Sequence, residues 1–151
     1  LNVAFGGSLY QDIATQCPNA HEHIDVELYD QFEHDVTFIQ GTPLAELYPK
    51  ATQLRVTSIH HQAVAELGKG IEVEAVSTLD GLVEAFRCPG EAYARGVQWH
   101  PEFHHGRQAL ADSSPIMLDF LRASRAEAMR RFDAGLELDP RAPSAPLLLS
   151  A

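Results

Sequence analysis

Cysteine is scarce in this sequence. Only Cys17 and Cys88 occur among 151 residues, far apart and with no CxxC pair, so neither a disulfide framework nor a cysteine-rich zinc site is suggested. A reducing, cytoplasmic compartment fits that usage. Positive charge is scarce too: 11 Lys and Arg stand against 21 Asp and Glu, a formal net charge of -10. Such a surface repels a phosphate backbone and argues against a nucleic-acid partner. No apolar run approaches the roughly 18 residues that span a bilayer, and no basic segment precedes a long apolar one at the start. Neither a membrane anchor nor an export signal is expected.

What is present suffices for a core. Hydrophobic residues make up 45% of a length that suits one domain or part of a larger one. The opening "LNVAFGG" has no initiator methionine and reads as the last turn of a helix stopped at Gly6-Gly7, glycine being the residue that takes the left-handed cap at little cost. Residues 14–25 are polar and contain a proline, and read as a surface loop. Val36, Phe38 and Ile39 suggest a strand. Thr42 followed by Pro43 is a helix start, with Thr42 as cap and Pro43 as first helical residue.

Strand signals then dominate. "QLRVTSIHHQAV" alternates in part, and in "GIEVEAVST" Ile71, Val73 and Ala75 oppose Glu72 and Glu74, which predicts one buried and one wet face. Asp80-Gly81 is a hairpin-type turn leading into "LVEAFR", and "YARGVQWHP" is a last strand ended by Pro101. A helix follows, with Ser114 as cap and Pro115 as first helical residue. "EAMRRFDAGLELDPRAP" is similar to half of a tetratricopeptide repeat, but without a second copy it builds no solenoid. The proline-rich tail "DPRAPSAPLLLSA" predicts a loosely docked end.

Eight histidines occur, at 21, 23, 34, 60, 61, 100, 104 and 105, and most read as surface or loop imidazoles. His21 and His23 could share an ion, but there is no HExxH pattern and no cysteine partner, so no metal site is predicted. His100 and Glu102 stand apart. They follow directly on a strand, where an imidazole can act as general base near neutral pH and a carboxylate two residues on can accept the bond from its other nitrogen. That is the base and orienter of a nucleophile–base–orienter triad. Taken alone, a His-Pro-Glu turn is structural more often than catalytic.

"GVQWHPEF", "SIHHQAV" and "LNVAFGGSLYQDI" together resemble the C-terminal half of class I glutamine amidotransferase-like proteins, most closely their γ-glutamyl-γ-aminobutyrate hydrolase branch. The resemblance covers residues 1–123. It implies a three-layer α/β/α, flavodoxin-like doubly wound fold, of which residues 1–122 would be the C-terminal part and 123–151 a helical extension and tail. It implies a Cys-His-Glu triad with His100 as base and Glu102 as orienting carboxylate. It further implies hydrolysis of γ-glutamyl amides through a thioester, in polyamine breakdown, with no cofactor. Ser58, His60, His61 and Gln62 would be the substrate contacts, through side chain or backbone; the alternative is that His60 and His61 merely alternate across a strand, one buried and one exposed. Trp99 reads as core filling.

The nucleophile is where the sequence departs from that pattern. Cys17 precedes Pro18 in a polar loop and Cys88 lies between Arg87 and Pro89, neither in an elbow sequence. The expectation is an N-terminally truncated member without its nucleophile or oxyanion amides, inactive by itself. Its exposed half-core would be covered by self-association or by the missing half. Two alternatives stay open: the glutaminase part of an ammonia-transferring synthase, and a non-enzymatic module.

Overall fold

The computed structural model describes residues 1–135 apart from 89, 91 and 105. The proline-rich tail lies outside the described residues. The chain begins with a 3-10 turn, Asn2–Phe5, closed by Gly6 in the left-handed region at φ 85, the stop that the glycine pair predicted. Strand β1 (Leu9–Tyr10) follows, then a short helix α1 (Ile13–Gln16) capped by the Asp12 carboxylate, which accepts from Thr15 N at 2.8 Å. Residues 14–25 are therefore not all surface loop: Ala14 to Gln16 are helical, and His23 is only 3% exposed. The Asp12 cap, which pre-empts one orphan amide, is the local reason for the turn.

Strand β2 (Glu33–Phe38) buries His34, Val36 and Phe38 in strict alternation, the period that one covered sheet face requires. Helix α2 (Pro43–Leu47) starts as predicted, with Thr42 Oγ1 accepting from Ala45 N and Pro43 in the first turn. Strands β3 (Gln53–Thr57), β4 (Ala63–Val64), β5 (Glu72–Ser77), β6 (Val83–Arg87) and β7 (Arg95–Val97) complete the sheets. β1 pairs with β4, and the main sheet has the order β3-β2-β5-β6-β7. Every pairing among the described residues is antiparallel. The β5–β6 hairpin turns at Asp80-Gly81, where Gly81 takes φ 77 and Asp80 Oδ1 accepts from Leu82 N.

One expectation is corrected inside β5. Glu72 is exposed, but Glu74 is fully buried. The β5–β6 register shifts between Val73 and Ala75, and this irregularity turns Glu74 inward beside Ala75 instead of leaving it on the wet face. Its carboxylate is met there by Arg95 Nε at 2.6 Å and Nη2 at 3.2 Å, and it accepts from Leu44 N of α2 at 3.0 Å. A buried charge is tolerable only with such partners.

The core is Val36, Phe38, Leu44, Val56, Ala75, Ala85 and Trp99. Trp99 is 2% exposed, as its core-filling role predicts. Helix α3 (Ser114–Asp133) begins one residue earlier than predicted: Ser113 is the N-cap, and Asp112 Oδ1 accepts from Ser114 N. It runs unbroken past residue 123 and touches the body through Ile116, through Asp119 on Arg95, and through Phe120 against Tyr93. Met117, Leu118, Leu121, Met129 and Phe132 are exposed on it. No described helix is long and apolar enough to cross a membrane.

Candidate active site

His100 lies three residues beyond β7, and Glu102 sits in the 3-10 turn Pro101–His104 that follows it. The turn brings them face to face: His100 Nδ1 lies 3.1 Å from Glu102 Oε1. The His100 side chain is 13% exposed and that of Glu102 52%, so the imidazole is seated while its carboxylate stays at the surface. With Nδ1–H given to Glu102, the Nε2 lone pair is the basic position.

Two neighbours hold this turn. Trp99 is in the core immediately before His100. His104, buried immediately after, accepts the Thr57 N–H at Nε2 (3.2 Å), and its Nδ1 faces Ala111 O (3.1 Å) and Ser113 Oγ (3.3 Å). Thr57 Oγ1 donates to His100 O at 3.2 Å. The end of β3 thus grips both sides of the His-Pro-Glu turn. Sequence reasoning read His104 as an ordinary loop imidazole; only the pairing of distant segments shows that it is a clamp.

The "SIHHQ" segment splits into inward and outward residues. Ser58 is fully buried, with Oγ donating to His23 O at 2.7 Å, and His60 is 5% exposed, with Nδ1 facing Gln62 O at 2.9 Å. Their side chains are engaged inside the protein. His61 is exposed and Gln62 half-buried, its Nε2 donating to Gln11 Oε1. The surface-imidazole reading is also overturned for His23 and His34, both buried. They converge with His60 and Glu84 in one cluster, a constellation that no sequence spacing announced.

Among the described contacts, neither cysteine has a basic side chain beside it that would activate a thiol. Burial pushes the Cys88 thiol up from its ordinary value, the wrong direction for forming the nucleophilic thiolate. Cys17 is half-buried at the end of α1, with no basic partner among the described contacts.

Comparison with known proteins then settles the family. The peptidase C26 family model matches residues 1–102. The chain belongs to the peptidase C26 family. Within the class I glutamine amidotransferase-like proteins that this implies, NtpR of Enterococcus hirae is 42% identical over 107 residues, 70% of this chain and 44% of that protein. The γ-glutamyl-γ-aminobutyrate hydrolase PuuD of Escherichia coli is 37% identical over 116 residues, 74% of this chain and 45% of the hydrolase. The chain spans less than half the length of these relatives. Among solved structures, a Thermoplasma acidophilum protein assigned as part of a GMP synthase superposes with a TM-score of 0.57 at 16% identity, covering 85% of this chain and 55% of that one. That likeness shows the expected class I glutamine amidotransferase α/β fold, of which this peptidase C26 chain carries an antiparallel portion.

Proposed function

We propose that this chain supplies the general base and its orienting carboxylate for hydrolysis of γ-glutamyl amide bonds in the cytoplasm, on substrates of the γ-glutamyl-γ-aminobutyrate kind that arise in polyamine breakdown. The observation that carries it is the 3.1 Å contact of His100 Nδ1 with Glu102 Oε1 in the turn beyond β7. A cysteine nucleophile comes from polypeptide outside these residues, since burial raises the pKa of the Cys88 thiol and Cys17 has no basic partner among the described contacts.

The chemistry needs no cofactor. His100 Nε2 takes the thiol proton, and the thiolate attacks the γ-carbonyl carbon to give a tetrahedral oxyanion. As the C–N bond breaks, the imidazolium returns its proton to the leaving amine. Water then attacks the γ-glutamyl thioester with His100 again as base, releasing glutamate and the thiol. Glu102 keeps its charge throughout and stabilises the imidazolium. His61 and Gln62 are the accessible side chains of the substrate-side segment; Ser58 and His60, whose N–H groups donate to Phe32 O and His23 O, would contribute there through their carbonyls.

The test is amine release from γ-glutamyl-γ-aminobutyrate by the polypeptide that carries these residues. His100→Ala should lower turnover by about 10²–10⁴-fold, and Glu102→Gln should lower kcat and change its pH profile with KM little altered. Turnover indifferent to His100→Ala would refute the assignment. Preference for glutamine, with ammonia passed on only when a synthase is added, would move the reading to a glutaminase.

A further inference from the structure

Four residues widely separated in sequence meet inside the protein: His23 from the segment before β2, His34 of β2, His60 after β3 and Glu84 of β6. All four are buried, and one donor atom from each lies within 4.8 Å of the others. Glu84 is the hub. His60 Nε2 is 3.4 Å and His23 Nδ1 3.6 Å from its Oε1, and His34 Nε2 is 3.5 Å from its Oε2. These separations exceed the roughly 2.7–3.2 Å of an N–H···O hydrogen bond. Accordingly, none of the three nitrogens and neither carboxylate oxygen has a hydrogen-bond partner. A buried set of that kind is costly unless something else satisfies it.

The outer contacts decide which nitrogens are bare. His23 Nε2 faces Asp80 Oδ2 at 2.8 Å, so it carries the proton and leaves Nδ1 as a lone pair. His60 Nδ1 faces the carbonyl of Gln62 at 2.9 Å, which can only accept, so Nε2 is the lone pair there. Two lone pairs therefore point at a buried carboxylate, a repulsive arrangement that calls for a cation between them. A proton is the lesser candidate, because a charge-assisted N–H···O contact contracts to about 2.7–2.9 Å.

We infer that His23 Nδ1, His34 Nε2, His60 Nε2 and the Glu84 carboxylate form a binding site for one divalent transition-metal ion of the zinc class. Three imidazoles and a carboxylate are a zinc donor set, and bonds of about 2.0–2.1 Å in tetrahedral geometry place neighbouring donors about 3.3–3.4 Å apart. The observed His-to-Glu separations lie just above that, shared between the two carboxylate oxygens, and the donor set as a whole, spread within 4.8 Å, closes around the ion to complete the shell. Asp80 on His23 and the Gln62 carbonyl on His60 are the outer-shell partners that fix tautomer and raise donor strength. Glu84 and Asp80 together balance the charge of the ion. Because all four donors are protein side chains and all are buried, the site is closed and structural: it pins the 20–25 segment onto the sheet. His23 O already receives Ser58 Oγ and His60 N there. The inference does not rest on the hydrolase reading.

The test uses the full chain freed of metal by chelator, titrated with cobalt(II) and then with zinc(II) alone. One cobalt per chain, giving the intense visible absorption of a four-coordinate centre and displaced by one equivalent of zinc, is the expected result. Asp80→Asn should weaken zinc about 10–100-fold at unchanged stoichiometry, and Glu84→Gln should abolish the visible band. If Glu84→Gln fails to fold, the spectrum of the unaltered chain and the Asp80→Asn affinity decide the matter. No cobalt or zinc uptake, or uptake only with the weak absorption of six-coordinate cobalt and an affinity indifferent to Asp80→Asn, would overturn the site.

Discussion

The backbone N–H of Thr57 donates to His104 Nε2 at 3.2 Å, which ties the end of β3 to the residue that closes the His100–Glu102 turn. That bond requires an unprotonated Nε2. Burial is the main influence lowering the His104 pKa below its ordinary value; Arg107 lowers it further, while Ala111 O, Glu102 and Glu33 oppose. A histidine with a lowered native pKa binds protons more readily when unfolded, so its contribution to stability is whole above the unfolded value of about 6.5 and is lost as pH falls below it toward the native value. His104→Gln keeps an acceptor for Thr57 and a donor for Ala111. Denaturant unfolding at pH 7.5 and 5.5 should therefore show a smaller acid loss in His104→Gln than in the unaltered chain; equal losses would refute the clamp's role.

Arg95 joins four elements through Glu74, Tyr93, Asp119 and, by way of Glu74, Leu44. The Glu74 side chain is 0% and that of Arg95 5% exposed. Arg95→Met would leave a buried carboxylate with only the Leu44 amide, at a cost of about 3–5 kcal/mol in unfolding free energy. A loss below about 1 kcal/mol, the level of a solvated pair, would show that water screens this contact.

Gly96, in the strand that leads to His100, has no room for a side chain. A Cβ there would stand 2.7 Å from Phe86 Cζ on the neighbouring strand. Gly96→Ala should cost roughly 1–3 kcal/mol by overpacking. Phe86→Leu in the same chain should recover part of that loss, and a double-mutant cycle with zero coupling energy would contradict the contact.

Thiol labelling distinguishes the two cysteines. Cys88 is buried and its pKa is raised by that burial, whereas Cys17 is half-buried. Iodoacetamide at neutral pH should modify Cys17 well before Cys88, as mapped by peptide mass spectrometry. Faster reaction at Cys88 would mean a thiolate-stabilising environment that the described residues do not supply.

The features legible in the sequence are those encoded within a few consecutive residues. Thr42-Pro43 starts α2, Asp80-Gly81 turns the β5–β6 hairpin, and Gly6 stops the first turn, because each acts on the backbone of its own neighbours. The His100–Glu102 pair belongs to the same class, since two residues separated by Pro101 at a strand end cannot move far apart. Glu74 was misplaced because alternation assumes a regular ladder, and the register shift opposite β6 is invisible in β5 itself.

What the sequence by itself determined is therefore the set of local elements, the family pattern and the closeness of His100 and Glu102. Only the tertiary structure decided that His104 would clamp Thr57, that Arg95 would neutralise Glu74, and that His23, His34, His60 and Glu84 would share one buried site. These contacts join segments tens of residues apart. Their partners are chosen by strand order and register, through the need to satisfy charge and hydrogen bonding where side chains are buried, and no stretch of the chain carries that information alone.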